Sequence, residues 1–256
     1  MAGTGTEHLR PRDETILRVE DLVVEFPAGS RRSGLKVHAV SGISLDIKEG
    51  ETLGLVGESG CGKSTTGKAI MQLPRPKAGT VEFEGTDLTG LSGTSLREIR
   101  ARMQMIFQDP ISSLNPRRKV EDVIAEGLRI WKVGSDEERA AKVREMMVTV
   151  GLDPEVHSGR RPYEFSGGQC QRISIARAVA NDPKLIICDE PVSALDVSVQ
   201  AQILNLLRSL QKEFDLTYVF ISHDLSVMRQ ICTRIAVMYL GRIVELADAE
   251  EIFENP

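Results

Sequence analysis

A glycine-rich loop at residues 57–65 fits the pattern G-x-x-x-x-G-K-[ST] and leaves few folds open to this chain. An apolar run at 52–56 precedes the loop, and a helical pattern that continues to Gln72 follows it. A loop in this setting, between a strand and a helix, binds phosphate groups with its backbone N–H groups. We therefore expect an α/β fold in which this phosphate loop holds a nucleotide.

The residue types of the phosphate loop divide the work of binding a nucleotide. Glycines let the backbone curve around the phosphates, Lys63 reaches the β- and γ-phosphate oxygens, and the Ser64 hydroxyl can ligate Mg²⁺. The predicted nucleotide-binding residues of the loop are Gly57, Glu58, Ser59, Gly60, Cys61, Gly62, Lys63, Ser64 and Thr65.

A second candidate anion site lies far downstream. The residues Ser166, Gly167, Gly168 and Gln169 come immediately before a helical pattern at 170–180. A helix N-terminus presents unpaired N–H groups and the positive end of the helix dipole, and glycines leave room for a phosphate. With one nucleotide-binding loop in view, we expect this Ser-Gly-Gly-Gln segment to meet its phosphate on another copy of the chain or on a partner subunit.

Two predicted strands end in side chains that suit phosphate chemistry. The run 185–188 is followed by Asp189 and Glu190, and the run 103–107 is followed by Gln108. We predict that Asp189 orients Mg²⁺ and that Glu190 polarises an attacking water as a general base. Gln108 is predicted to touch the Mg²⁺ or the water; the alternative is a polar residue that only satisfies a strand end.

A third strand-like run, 218–222, is followed by His223. Ligands of open α/β sheets gather at the carboxyl ends of the strands, so His223 can hydrogen-bond a γ-phosphate and hold Glu190 and a water in position. In the alternative interpretation, Asp224 is the N-cap of a helix and His223 takes no part in catalysis.

The remaining patterns define the layout of the chain. Alternation at 16–26 and 37–47, with a short run at 81–84, predicts an antiparallel sheet beside the nucleotide. Residues 121–151 carry two apolar stripes at helical spacing and predict a helical insertion. The run 235–238, together with the two buried runs that precede Asp189 and His223, predicts a mostly parallel sheet with helical crossovers.

This layout predicts one domain with an insertion. Residues 1–15 are expected to be a flexible N-terminus, and 16–256 a single domain. Within it, 16–100 and 165–256 are predicted to form the nucleotide-binding core and the antiparallel β subdomain, and 109–164 the helical subdomain.

Composition excludes several classes of protein. A net charge of −5 argues against nucleic acid as a partner, because proteins that bind a phosphate backbone usually carry a basic surplus. The sequence has no stretch near the roughly 18 to 20 apolar residues that span a bilayer, and residues 1–12 lack an apolar signal-peptide core, so we expect the chain to stay in the cytoplasm. The four cysteines share no C-x-x-C spacing and are interpreted as reduced thiols.

Taken in order, these motifs resemble the ATPase subunit of an ABC transporter, over residues 16–256. The segments 50–61, 103–117 and 191–200 are similar to the oligopeptide/dipeptide importer branch, in particular to its F-type ATPase. Nickel and glutathione importers share much of the sequence of these segments, so the resemblance leaves the solute open. It favours a transporter ATPase over a soluble ABC ATPase that works on the ribosome or on DNA. It also favours it over a small-molecule kinase or a GTPase, because enzymes of those two classes have no use for a Ser-Gly-Gly-Gln segment.

The resemblance implies a mechanism for ATP and Mg²⁺. Two such domains face head to tail, so that each ATP lies between the phosphate loop of one and the Ser-Gly-Gly-Gln segment of the other, with 193–196 along the interface. The catalytic residues implied are Glu190, His223 and Gln108, and the metal-binding residues are Ser64, Gln108 and Asp189. Hydrolysis opens the pair.

The same resemblance implies partners and a location. The chain would power import of di- or oligopeptides at the cytoplasmic face of the cell membrane, as a peripheral subunit. Its partners would be two transmembrane permease subunits, a second ATPase subunit in a heterodimer rather than a homodimer, and indirectly an extracytoplasmic solute-binding protein.

Three features depart from the family pattern. The Ser-Gly-Gly-Gln segment is preceded by Phe165 and followed by Cys170, where Arg is common in relatives; neither replaces a phosphate-contacting glycine, so we expect activity to survive. The aromatic residue that stacks on adenine in many relatives has two candidates here, Phe26 and His38, because the loop at 27–36 obscures the alignment. Peptide-importer ATPases also normally continue into a C-terminal extension, so we expect this sequence, which ends at Pro256, to be truncated or a short variant.

Overall fold

The structure is a computed structural model that describes residues 5–28 and 34–254. Three parts of the expectations above fall outside these ranges. They are the first four residues of the expected flexible N-terminus, the middle of the loop at 27–36, and the end of the chain at Pro256.

The described residues form ten strands and eleven α-helices. The strands are β1 (Leu17–Pro27), β2 (Lys36–Ile47), β3 (Thr52–Gly57), β4 (Ala78–Phe83), β5 (Thr86–Asp87), β6 (Met103–Ile106), β7 (Leu185–Asp189), β8 (Thr217–Ile221), β9 (Arg234–Tyr239) and β10 (Arg242–Asp248). The helices are α1 (Lys63–Ile70), α2 (Gly93–Arg102), α3 (Pro110–Ser113), α4 (Val120–Ile124), α5 (Glu126–Ile130), α6 (Asp136–Thr149), α7 (Pro154–His157), α8 (Gly167–Val179), α9 (Val197–Phe214), α10 (Leu225–Ile231) and α11 (Ala249–Glu254). Short 3-10 helices lie at Arg12–Glu14 and Pro162–Glu164.

The chain divides into two compact units. The first contains the described residues up to Arg100 and those from Thr217 onward, and the second is Ala101–Leu216. None of the helices in the described ranges is both long and apolar enough to cross a bilayer. The predicted boundaries of the core and of the helical subdomain stay predictions.

An antiparallel sheet in the first unit has the strand order β2-β1-β4-β5. Alternation of apolar and polar residues explains it, because such strands bury one face and expose the other. In β1, Leu17, Val19, Leu22 and Val24 are all buried. The predicted N-terminal antiparallel sheet is confirmed.

The same unit contains a group of strands around β3. This strand pairs in parallel with β9 on one side and with β8 on the other, and β10 runs antiparallel to β9. All five residues of β8 are buried, as are the first five of β3. Each large apolar side chain buried in this way contributes about 1.5–3 kcal/mol. Continuous apolar runs suit strands that are covered on both faces, and they predicted this parallel arrangement correctly.

The second unit combines a parallel strand pair with helices. Strand β6 runs parallel to β7. The predicted apolar stripes are buried: Val120, Val123, Ile124, Leu128, Val143, Met146, Met147 and Val150. The helical pattern at 121–151 corresponds, however, to three helices rather than one. The third of them, α6, begins after Ser135 with a capping box. The Ser135 hydroxyl accepts a hydrogen bond from the N–H of Glu138, and the Glu138 carboxylate accepts one from the N–H of Ser135.

The structure corrects one predicted helix start and adds two elements. Helix α8 begins at Gly167 and not after Gln169, so the Ser-Gly-Gly-Gln segment forms the first turn of the helix. Helix α2 and strand β10 were not predicted. The C-terminal strand β10 exposes one face, so its apolar pattern is weak.

A cluster of four charged side chains lies at the base of β3. Arg10 donates two hydrogen bonds to Glu51, at 2.8 and 2.9 Å. Arg234 lies 3.3 Å from Glu51, and both arginines lie 3.5 Å from the fully buried carboxylate of Asp46. Burial alone would raise the pKa of Glu51, but the hydrogen bonds from Arg10 and from the N–H of Lys48, with the charge of Arg234, outweigh burial and lower it.

This lowered pKa predicts acid sensitivity. Because the folded-state pKa of Glu51 lies below the unfolded value of about 4.3, its stabilisation is fully present above that value and is lost as pH falls through the folded-state pKa. We expect Glu51→Gln to lower the free energy of unfolding by about 1–3 kcal/mol near pH 7, and the difference from the wild type to shrink below about pH 4. Urea unfolding over a pH series measures this; a difference that stays constant with pH would contradict it.

Candidate functional site

The phosphate loop lies at the carboxyl end of a central strand of the first unit. Strand β3 ends at Gly57, beside Met238 of β9, and α1 begins at Lys63. The loop residues Glu58, Ser59 and Gly60 are exposed, whereas Cys61 and Gly62 are buried. The exposed turn followed by a helix N-terminus is the arrangement that binds phosphates.

The side chain of Lys63 is folded against its own loop. Its Nζ donates hydrogen bonds to the carbonyl oxygens of Gly57 at 2.7 Å and Glu58 at 2.8 Å. Lys63 as a whole is 4% exposed, so these bonds replace water around a buried cation. The loop therefore holds a positive charge at its centre, where a phosphate would be bound.

Two glycines of the loop are required by close backbone contacts. A Cβ on Gly57 would lie 2.1 Å from the carbonyl oxygen of Met238, and one on Gly62 would lie 2.2 Å from that of Ala39. Gly62 also has a φ of 109°, which L side chains rarely adopt. The loop is thus confined by β2 and β9, a constraint that the motif itself does not reveal.

Cys61 places a thiol within the phosphate loop. Its Sγ lies 3.8 Å from the Nζ of Lys63, and the N–H of Gly241 donates to its carbonyl oxygen at 2.9 Å. The thiol is buried against the backbone that shapes the loop. A bulky group on this sulfur has no room without displacing the loop.

We expect a maleimide that reacts with Cys61 to abolish ATP binding, because the adduct must push the loop out of its phosphate-binding shape. ATP should protect Cys61 from the reagent. Binding of a fluorescent ATP analogue, with mass spectrometry of the labelled site, measures both effects. The control is Cys61→Ser, which should bind ATP and resist the reagent; full binding by protein shown to be labelled at Cys61 would contradict the prediction.

His223 lies in the same unit as the phosphate loop. Strands β3 and β8 are parallel, with Leu55 beside Ile221, so Gly57, the last residue of β3, and His223, which follows β8, lie at the ends of neighbouring strands. The His223 side chain is exposed at that edge. Asp224 is the N-cap of α10 and accepts a hydrogen bond from the N–H of Ser226 at 2.8 Å. The N-cap reading of Asp224 is confirmed, and a role for His223 stays a prediction.

The second unit brings Gln108 and Glu190 together. Strands β6 and β7 are parallel, with Ile106 beside Cys188, so both side chains emerge two residues later at the same edge. The Gln108 Nε2 donates to the Glu190 Oε2 at 3.0 Å. An ionised carboxylate has several acceptor positions on its two oxygens, so a carboxylate that the Gln108 amide holds in place can also accept a proton from water.

The two carboxylates that follow β7 have different surroundings. Asp189 is 2% exposed, whereas Glu190 is half-buried. Glu190 has a φ of 48°, a left-handed conformation that is costly for a residue with a side chain, and its carbonyl oxygen accepts a hydrogen bond from the Ser193 hydroxyl at 3.1 Å. Such strain clusters at functional sites, and here it turns the chain sharply at the end of the strand.

The Ser-Gly-Gly-Gln segment forms a capping box. The Ser166 hydroxyl accepts a hydrogen bond from the N–H of Gln169 at 3.3 Å, and the Gln169 side chain accepts one from the N–H of Ser166 at 3.0 Å. A Cβ on Gly168 would lie 2.6 Å from Val199 of α9. The close packing fixes the first turn of α8 beside the start of α9, which Asp196 caps.

The two candidates for an adenine contact are neighbours on the β1–β2 ladder. Phe26 pairs with Val37, and the next pair is Glu25 with His38. Phe26 is 39% exposed, and His38 lies 3.4 Å from the Glu25 carboxylate with its side chain 60% exposed. His38 directly precedes Ala39, whose carbonyl oxygen packs on the phosphate loop. Both candidates remain open.

The predicted site residues therefore fall into two groups. The first unit holds the phosphate loop and His223, and the second holds Gln108, Asp189, Glu190 and the Ser-Gly-Gly-Gln segment. Within its own unit, each group clusters at strand ends or a helix start. Sequence reasoning missed the backbone carbonyls of Ala39 and Met238, which no residue-type pattern marks.

Comparison with known proteins assigns these motifs to a family. The family model described as "ABC transporter" matches residues 40–193. The oligopeptide transport ATP-binding protein OppF of Bacillus subtilis is 55% identical over 247 residues, which cover 95% of this chain and 79% of that protein. The glutathione import ATP-binding protein GsiA of Pectobacterium atrosepticum is 50% identical over 249 residues, but these cover 39% of its length.

Solved structures agree with the sequence comparison. The fold is similar to that of the dimeric ATP-binding cassette MJ0796 in a post-hydrolysis state bound to ADP and Pi, with a TM-score of 0.81 and 30% identity. The match covers 91% of this chain and 98% of that one.

Proposed function

The chain belongs to the ABC transporter family of ATP-binding subunits, and from that membership we propose that it powers the import of di- or oligopeptides across the cell membrane. It is an ATPase of this family. The proposed role places it at the cytoplasmic face of the membrane, as a peripheral subunit.

One observation carries the proposal. A single chain presents a phosphate loop and, in its other unit, a capped and glycine-lined helix N-terminus at Ser166. With two anion sites but one nucleotide-binding loop, the second site suits a phosphate that another ATPase holds. An enzyme built in this way would act as a pair of ATPases, as expected for a transporter. The 55% identity to OppF, over nearly the whole chain, supports peptides as the solute.

ATP binding falls to the phosphate loop. We propose that its backbone N–H groups and Lys63 hold the β- and γ-phosphates, and that the adenine stacks on Phe26 or His38. Ser64, Gln108 and Asp189 offer a hydroxyl, an amide and a carboxylate, which fit Mg²⁺ because this ion prefers oxygen ligands. Bound there, Mg²⁺ would stabilise the negative charge that develops on the γ-phosphate.

Hydrolysis falls to Glu190. We propose that its carboxylate accepts a proton from a water molecule as the water oxygen attacks the γ-phosphorus, while the bond to the β-phosphate oxygen breaks and leaves ADP and inorganic phosphate. The hydrogen bond from Gln108 orients the carboxylate. His223 is proposed to donate a hydrogen bond to the γ-phosphate.

Pairing converts this chemistry into movement. We propose that each ATP joins the phosphate loop of one ATPase to the Ser-Gly-Gly-Gln segment of the other, with 193–196 along the interface, and that hydrolysis releases the pair. The partners proposed are two transmembrane permeases, a second and different ATPase subunit, and a solute-binding protein that acts through the permeases. A dimeric cassette of similar fold supports the pairing.

Glutathione import is the second candidate, because GsiA is 50% identical to this chain. Glutathione is itself a modified tripeptide, so the same machinery could serve both solutes. This chain spans less than half of GsiA, which weakens the inference.

Uptake of labelled solutes by intact cells tests the proposal. Cells with the wild-type chain should accumulate a labelled di- or pentapeptide, and cells with Glu190→Gln should not. Labelled glutathione and nickel form separate arms, and Asp182→Asn, a surface carboxylate paired with Lys142, is the matched control. If Glu190→Gln abolishes uptake of glutathione or of nickel but not of peptides, that compound is the solute and the peptide proposal is wrong. No loss in any arm would overturn the transport role.

A further inference from the structure

Arg177 lies on the same helix as the Ser-Gly-Gly-Gln segment but near its opposite end. Its Nη1 donates a hydrogen bond to the carbonyl oxygen of Ser113 at 2.7 Å. Ser113 is the last residue of α3, the one-turn helix that follows Gln108. Both residues belong to the second unit. One side chain therefore joins α8 to the segment that carries Gln108.

The hydrogen bond between Arg177 and Ser113 is costly to break. Carbonyl groups in the last turn of a helix have no partner within the helix, and a cation there is favoured by the helix dipole. The Arg177 guanidinium is half-buried, and burial lowers its pKa, with the nearby Glu126 charge acting in the opposite direction. A guanidinium stays charged in proteins, so a desolvated one strongly prefers to keep its acceptor.

From Ser113 hydrogen bonds lead to Asp109, and from Asp109 the backbone and one further hydrogen bond lead through Gln108 to Glu190. The N–H of Ser113 donates to the Asp109 carbonyl oxygen at 3.2 Å, and the Asp109 carboxylate caps α3 by accepting from the N–H of Ile111 at 2.9 Å. Gln108 directly precedes Asp109 and donates to Glu190 at 3.0 Å. A shift of α8 can thus reach the partner of the proposed general base.

We propose that Arg177 is a positioning residue that makes the Gln108 segment follow α8. When the Ser-Gly-Gly-Gln segment binds the γ-phosphate of a nucleotide held by the other ATPase, α8 is fixed, and Arg177 then holds the Gln108 amide in its contact with Glu190 of the same chain. The inference rests on the proposed function, because it needs the paired state.

The consequence is communication between the two nucleotides of a pair. The nucleotide on the partner's phosphate loop controls the general base that serves this chain's own nucleotide, through contacts within a single unit. Hydrolysis is then faster in pairs in which the Ser-Gly-Gly-Gln segment is occupied. Such coupling requires an element with two positions. Binding at one site favours one of these positions, and catalysis at the other site depends on which position is occupied.

Helix α8 also supplies a matched control. Arg172 lies on the same helix and donates to the carbonyl oxygen of Val150 at 2.6 Å and to Gln202 at 3.1 Å. These two hydrogen bonds tie α8 to Val150 and to α9, and neither of them involves the Gln108 segment. Replacing Arg172 removes an arginine–carbonyl bond of the same kind without touching the proposed link.

The first test is a comparison of Arg177→Met, Arg177→Lys and Arg172→Met in the assembled ATPase. We expect Arg177→Met to lower kcat by about tenfold or more, since misplacing a catalytic group by an ångström is that costly, and to leave KM for ATP nearly unchanged. Arg177→Lys should recover part of kcat, and Arg172→Met should keep it. Equal losses in Arg172→Met and Arg177→Met, or a normal kcat in Arg177→Met, would overturn the proposal.

Hydrogen exchange tests the link itself. The chain carries Lys63→Ala, so that its own loop does not hold ATP, and is paired with the ATPase subunit with which it purifies, or with a wild-type copy under a second tag. On addition of ATP, amides at 165–170 and at 111–114 should both become protected. With Arg177→Met added, protection at 165–170 should persist and that at 111–114 should disappear.

The outcomes separate the two ideas. Protection at 111–114 that survives Arg177→Met overturns the role of Arg177 and leaves the paired mechanism intact. Absence of protection at 165–170 with the intact Arg177 contradicts the proposed pairing itself, and with it this inference.

Discussion

Glu190→Gln is expected to lower ATP turnover by about 10²- to 10⁴-fold, the usual contribution of a general base, while ATP affinity stays within about threefold of the wild type. Glutamine has nearly the same shape and can still accept the hydrogen bond that Gln108 donates to residue 190. The geometry should therefore survive, and only the capacity to take a proton from water is lost. Steady-state hydrolysis and binding of a fluorescent ATP analogue measure the two quantities separately.

The matched control is Asp182→Asn, which also replaces a carboxylate by an amide in the same unit but at a surface ion pair with Lys142. It should hydrolyse ATP at the wild-type rate. Normal turnover by Glu190→Gln would remove Glu190 from its proposed role, whereas a parallel loss of ATP binding would show that the substitution disturbed the fold.

Gly62→Ala is expected to weaken ATP binding by about 100-fold or more, because the loop must move by an ångström or more to admit the methyl group. The added Cβ would lie 2.2 Å from the carbonyl oxygen of Ala39, a backbone atom that cannot rotate away. The φ of 109° adds strain. Either the loop or β2 must shift, and both define the phosphate-binding shape.

Gly42→Ala isolates the strain from the collision. Gly42 has a φ of 73°, and no heavy atom lies within 4 Å of its added Cβ. Its replacement should cost about 1–2 kcal/mol of stability and leave ATP affinity unchanged. Titration of a fluorescent ATP analogue, with a thermal melt of each variant, makes the comparison. Wild-type affinity in Gly62→Ala would show that β2 does not confine the loop.

Local patterns were sufficient for the elements that surround the site. The phosphate loop, β3, β7 and β8 follow from a motif of fixed spacing and from continuous apolar runs, which depend on near neighbours in sequence. The start of α8 was missed although Ser166 and Gln169 have the spacing of a capping box. The glycines between them were interpreted only as room for a phosphate ahead of the helix.

Contacts between distant segments could not be predicted in the same way. Gln108 and Glu190 are 82 positions apart, and their hydrogen bond depends on the parallel pairing of β6 with β7. The packing of the Ala39 carbonyl on Gly62 likewise depends on how β2 lies in its unit. Backbone oxygens carry no residue-type signal, so only the folded chain reveals that they shape the site.

The most direct test of the account is affinity purification of the Glu190→Gln chain from detergent-solubilised native cells, with ATP or with ADP, followed by mass spectrometry of the proteins that copurify. The account predicts two permease subunits in both preparations, and a second ATPase held more strongly with ATP. The solute-binding protein encoded with them would identify the solute. Recovery of ribosomal or DNA-repair proteins without a permease would contradict the transport role, and recovery of the chain alone in both nucleotides would contradict ATP-driven pairing.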